Sequence, residues 1–194
     1  MYKRQQQAVA FCGGLDVLVS NAGVVRTGPL STLSVADWDQ VFAIDARATW
    51  LLARSAHQAL AESRGVIVAV ASVSGLFPFP GMGAYSPAKA ALIMVCRQLA
   101  QEWAVDGVRV NTVSPGLVRT PLTDPLYSND KVLQRRIEAV PLGRIGTPED
   151  VANAIAYLCG PGAAYATGID LRLDGGLGDY NLGKMSGKPR ARIA

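Results

Sequence analysis

Alternating strand and helix signals predict an α/β fold built on a parallel sheet. Three observations carry that expectation. Four short apolar runs, residues 15–20, 66–71, 108–113 and 169–173, are separated by stretches of helical character. The first run is almost continuously apolar, as suits a strand covered on both faces. All four runs also point their carboxyl ends toward one rim, where open α/β sheets hold ligands.

Each element has its own local signal. MYKRQQQAVAFCGG reads as the tail of a helix, and LDVLVS as the first strand, ending at Asn21-Ala22-Gly23. After the loop RTGPLSTL, Ser34 is an N-cap with Asp37 three residues on, in a capping-box-like position. A helix over residues 35–61 follows, with Trp38, Val41, Phe42, Ala46, Leu52, Ala56 and Leu60 facing inward. Gly65 separates it from the second strand, which carries Ser72 at its carboxyl end. A Gly/Pro loop leads into a helix from Tyr85 to about residue 105, terminated by Asp106-Gly107. The third strand ends near Pro115-Gly116. A polar, proline-containing stretch over residues 120–141 includes a short helix near 131–139. Thr147-Pro148-Glu149-Asp150 then opens a helix running to about residue 158, with a cap, a proline and acids in its first turn.

Composition bounds the rest. With 194 residues and 49% hydrophobic content, the chain supports one domain with a sizeable core. The net charge of +4 is spread along the chain except at residues 179–194, where Lys184, Lys188, Arg190 and Arg192 form a flexible basic tail. No interleaved aromatics mark that tail for nucleic acid. Cys12, Cys96 and Cys159 show neither paired nor metal-ligand spacing; Cys96 and Cys159, in apolar helical stretches, are expected to be small core residues, which suits a reducing cytoplasm. No His, Cys or acid cluster points to a metal. The polar start and the interrupted apolar runs predict neither a secretory leader nor a membrane-spanning helix.

Tyr85 and Lys89 lie four residues apart on one helix face, with Ser72 thirteen residues before the tyrosine. A lysine ammonium one turn from a phenol stabilises the phenolate and is expected to draw its pKa from about 10 toward neutrality. Such a phenol exchanges protons with a carbonyl or alcohol oxygen, and Ser72 would hydrogen-bond that oxygen.

In order, the chain carries Asn21-Ala22-Gly23, Ser72, Tyr85-x-x-x-Lys89, the run from Pro115 to Thr120, and Asp174-Gly175-Gly176. This series resembles the short-chain dehydrogenase/reductase family from about residue 15 to residue 178. The resemblance implies a Rossmann-like, doubly wound parallel sheet with about four strands remaining. It also implies hydride transfer between NAD or NADP and a small-molecule secondary alcohol or ketone.

By the same resemblance, Tyr85 is the general acid/base, Ser72 the ligand of the substrate oxygen, and Lys89 the group that tunes Tyr85 and holds the nicotinamide ribose. Asn21, Ala22 and Gly23 would lie under the adenosine ribose. Pro115, Gly116, Val118 and Thr120 would meet the nicotinamide carboxamide, and residues 122–142 would form a substrate lid. Asp45 stands where the family usually has an asparagine whose carbonyl holds a relay water, so a carboxylate there bears directly on Lys89. Ser74, Asn111 and the lone His57 are expected to be outside the chemistry. Pairing of the long helix and the Tyr85 helix across subunits implies a homo-oligomer, a dimer or tetramer.

One family element is not found in this sequence: a glycine-rich turn that follows a strand and opens a helix, the usual rest for a dinucleotide pyrophosphate. Relative to the family pattern, three strands and their helices are expected to be missing, about 80 residues at roughly 30 per strand–helix–strand unit. The first strand then becomes a sheet edge, and the chain is expected to associate or to be poorly soluble. The competing reading is a non-catalytic family member that acts as an assembly partner.

Overall fold

The computed structural model describes residue 7 and residues 10–121 and 123–180. Four strands form one parallel sheet: β1 (Val17–Ser20), β2 (Val66–Val70), β3 (Arg109–Pro115) and β4 (Asp170–Leu173), in spatial order β1-β2-β3-β4. Val66 pairs with Val17 on one side and with Arg109 on the other, so three carboxyl ends align at one rim. β4 joins one step further along, with Thr112 opposite Asp170. The sheet is the expected Rossmann-like one.

Helices cover both faces. Residues 35–63 are helical throughout, as α1 (Val35–Phe42), a π turn (Ala43–Arg47) and α2 (Ala48–Ser63). The expected uninterrupted helix is therefore corrected at its middle. The extra residue in a π turn shifts the helical phase. Val41, Ala46, Ala56 and Leu60 are buried, but Trp38 is 37% exposed. Ser34 caps α1 by accepting from the Asp37 N–H, as its spacing predicts.

The helix α3 (Tyr85–Trp103) packs beside α2 on one face of the sheet. There Ala53, Leu60, Ile67, Ala69, Leu92, Cys96 and Val110 form one buried cluster. On the other face α6 (Pro148–Cys159) places Leu158 against Val66, Val68 and Val113. Between them in sequence lie α4 (Asp124–Tyr127) and α5 (Asp130–Ala139). Each fully buried Val, Leu or Ile contributes about 1.5–3 kcal/mol relative to exposure.

The strand β1 is covered on one face only. Leu18 packs against the α2–α3 cluster, whereas Val17 and Val19 are 40% and 43% exposed. Its apolar sequence suits a doubly covered strand, but β1 lies at the sheet edge, as expected, and the α6-side cluster draws nothing from it.

Among the described residues no helix is long and apolar enough to cross a membrane, and none groups three metal-ligating side chains. The basic tail expected for residues 179–194 lies, from residue 181 onward, outside the described residues.

Candidate active site

Ser72 follows the end of β2 after one residue, Ala71, and its backbone is extended. Its hydroxyl oxygen accepts from the Ser74 N–H at 3.1 Å, which turns the chain away from the sheet. The loop then presses onto the Tyr85 helix at Gly75. A Cβ there would stand 2.8 Å from the Lys89 carbonyl carbon and 2.9 Å from the Ala90 nitrogen, so only glycine permits the approach. This glycine was missed in the sequence, where its only signal was its place in a Gly/Pro loop.

On the first turn of α3, Tyr85 is half-buried, and Lys89 is 4% exposed. The Lys89 Nζ lies 5.5 Å from the centre of the Tyr85 ring, so the two side chains converge as helical spacing predicts. It also donates to the Val70 carbonyl at 3.0 Å, which ties α3 to the end of β2.

Asp45 joins this group from the π turn. One carboxylate oxygen, Oδ1, accepts from the Val24 N–H at 2.8 Å. The other, Oδ2, stands 3.6 Å from Lys89 Nζ. Both side chains are nearly sealed from solvent, with 4% of Lys89 and 0% of Asp45 exposed.

The electrostatics differ from the sequence expectation. Burial pushes the Tyr85 phenol above its ordinary range and the Asp45 charge adds to this, while a hydrogen bond with Ser72 opposes it. The expected acidification by Lys89 is absent for two physical reasons. Burial lowers the Lys89 pKa, against the pull of Asp45, and the carboxylate meets whatever charge the lysine keeps. Asp45 itself is raised by burial, with Lys89 and the Val24 N–H pulling the other way.

The remaining predicted residues fall around the same rim with different emphasis. Asn21, Ala22 and Gly23 follow β1 in an exposed turn. Gly116 closes against the Asp174 turn, where a Cβ would come within 2.8 Å of the Asp174 Cβ. Asp174 in turn accepts from the Gly176 and Gly178 N–H groups at 2.9 and 2.8 Å.

Val118 bridges to Gly146, and the segment is stapled by Thr123, which sequence reasoning missed. The Thr123 hydroxyl donates to the Val118 carbonyl at 2.8 Å and accepts from the Thr120 N–H at 2.9 Å. It also lies 3.2 Å from the Thr120 hydroxyl.

Outside the group, Asn111 is fully buried and bonds the Ala166 carbonyl and the Ile169 N–H, a structural role. His57 pairs with Asp106 at 2.9 Å, and its ring lies tilted against Trp103 with centroids 4.3 Å apart.

Similar proteins share this arrangement of elements. A family model described as enoyl-(acyl carrier protein) reductase matches residues 3–178. A tropinone reductase homolog of Arabidopsis thaliana is 36% identical over 168 residues, covering 86% of this chain and 55% of that protein. A 2-(S)-hydroxypropyl-CoM dehydrogenase of Xanthobacter autotrophicus is 39% identical over 170 residues, 85% of this chain and 67% of that one. The chain thus spans between 55% and 67% of the length of these two relatives. The crystal structure of a gluconate 5-dehydrogenase from Burkholderia cenocepacia, in complex with NADP and tartrate, is similar at a TM-score of 0.87 and 25% identity. It covers 91% of this chain and 70% of that one. A model match over most of the chain, together with relatives well above 30% identity, places the protein in the short-chain dehydrogenase/reductase family.

Proposed function

We propose that the protein is an NAD(P)-dependent oxidoreductase that interconverts a small secondary alcohol and its ketone. The observation that carries this reading is the convergence of Ser72, Tyr85 and Lys89 at the carboxyl end of β2 and the start of α3.

The residues fit one end of a nicotinamide dinucleotide. Lys89 offers ammonium protons for the ribose hydroxyls, and the segment from Pro115 through Gly116 and Val118 to Thr120 offers backbone and hydroxyl groups for the carboxamide. Asn21, Ala22 and Gly23 stand in an exposed turn beyond β1, open to the adenosine side. The phosphate end fits less well. Among the described residues, Ser34, Asn129 and Thr147 already fill the N-termini of α1, α5 and α6 with their own side-chain oxygens. When bound, the nicotinamide supplies or accepts the hydride.

The chain's own part is proton handling. In the reductive direction the Tyr85 hydroxyl donates a proton to the carbonyl oxygen while a hydride reaches the carbonyl carbon, and the product is the neutral alcohol. Ser72 donates a hydrogen bond to the same oxygen and holds it against Tyr85. A phenol held above its ordinary range is protonated at neutral pH, the state that reduction requires. The reverse reaction requires the phenolate and so gains with rising pH. Residues 123–142, carrying α4 and α5, form the lid over the substrate. Self-association runs through the outer faces of α2 and α3, where Trp50 and Met94 are 40% and 58% exposed.

Titration with NADH and NADPH, followed by nicotinamide fluorescence, tests the reading. Saturable binding of at least one cofactor at or below millimolar concentration is expected, weakened about tenfold or more in Lys89→Met. Absence of saturation with both cofactors favours a non-catalytic family member.

A further inference from the structure

A buried carboxylate oxygen with no hydrogen bond is costly, and Asp45 Oδ2 is one. Its neighbour Oδ1 is satisfied by the Val24 N–H. The nearest cation is Lys89 Nζ at 3.6 Å, beyond hydrogen-bond range and already committed to the Val70 carbonyl. Gly23 lies against the same pair: a Cβ there would stand 3.4 Å from both Asp45 Oδ2 and Lys89 Nζ. The carboxylate is carried on a π turn, an irregularity that often marks functional sites in helices.

We infer that Asp45 is a positioning residue that offsets the charge of Lys89, so that Tyr85 gives up its proton at a more alkaline pH than it would beside an uncharged residue 45. The inference rests on the oxidoreductase reading for its consequence in turnover, but its physical content does not. Two opposite charges sealed together present Tyr85 with a dipole in place of a bare cation. Removing the carboxylate makes the pocket one unit more positive for a given state of Lys89, and a more positive pocket favours the phenolate.

The titratable groups facing the pocket are Asp45 from the π turn and Tyr85 and Lys89 from α3. α1 and α2 flank the turn, yet Lys89 is the only charged group that acts on Asp45 among the described residues. The neighbouring turn at Gly23 and Val24 and the end of β2 contribute backbone groups alone.

The test is an ultraviolet titration of the phenol in the intact chain without cofactor. The wild type is measured against Tyr85→Phe, and Asp45→Asn against the double variant Asp45→Asn/Tyr85→Phe, so each difference isolates Tyr85. The asparagine retains the acceptor for the Val24 N–H. The expected result is a fall of about one pH unit or more in the Tyr85 midpoint of Asp45→Asn, the order of shift that one neighbouring charge produces. Asp45→Ser, smaller and also uncharged, repeats the comparison should the asparagine variant not fold. An unchanged or raised midpoint in a folded variant overturns the inference. Failure of the enzymatic reading looks different: the midpoint moves, and neither protein turns over a ketone with either cofactor. Where both turn over, the acidic shift appears also in the pH profile of alcohol oxidation.

Discussion

Glycine at residue 75 decides how closely Ser72 can approach Tyr85. Adding one methyl group at that point meets backbone of α3 at 2.8 to 2.9 Å, and backbone does not yield as a flexible side chain would. Gly75→Ala is therefore expected to push the serine loop away from the helix. Denaturant unfolding should record a loss of about 1–3 kcal/mol, and ketone turnover should fall more than tenfold; a variant equal to wild type in both denies the close approach. At this scale much was legible in advance. A four-residue spacing on a helix brings side chains together whatever the fold, so Tyr85 and Lys89 were found from sequence. The acidity of Tyr85 was not, because its direction depends on how deeply three groups are buried, and burial is a property of the assembled chain. Asp45 was expected near Lys89 from the resemblance and lies 1% exposed beside it, but the π turn that carries it leaves no periodic signature and was not legible.

Among the elements, α6 has the plainest local code. Thr147 accepts from the Asp150 N–H, Asp150 accepts from the Thr147 N–H, and Pro148 sits at the first helical position. Thr147→Ala is expected to cost about 1 kcal/mol. Asp150 also holds Arg144 through two contacts of 2.6 and 2.8 Å. Its carboxyl is held well below the usual range, first by Arg144 and then by the Thr147 N–H. A depressed carboxyl stabilises the fold above its unfolded pKa of about 3.9 and loses that contribution as pH falls below it. Thermal melts from pH 6 to pH 2 should thus show a steeper decline for wild type than for Asp150→Asn; parallel curves contradict this. The caps at Ser34 and Thr147 were readable because capping chemistry is local. The break at residues 43–47 and the staple by Thr123 were not, since both answer to contacts made across the fold.

Taken whole, the molecule is a parallel sheet with helices on both faces, open only on one face of β1, and its candidate site lies at one rim. Parallel pairing brings Ser72 and Pro115 to neighbouring strand ends, although 43 residues separate them in sequence. The alternation of apolar runs made this architecture legible. It could not say which faces would be covered, and β1 is the instructive case: its apolar sequence suits full burial, while Val17 and Val19 meet solvent at the sheet edge. At the rim Tyr85 and Lys89 from α3, Ser72 from the segment after β2 and Asp45 from the π turn lie together.

The central claim is that Tyr85 passes the proton to the carbonyl oxygen. It is tested most directly by comparing wild type and Tyr85→Phe for reduction of a panel of small ketones with NADH and NADPH. The account predicts turnover by wild type and a loss of about 10²–10⁴-fold in the phenylalanine variant, with unchanged cofactor affinity and melting temperature. Equal turnover by the two proteins would contradict it.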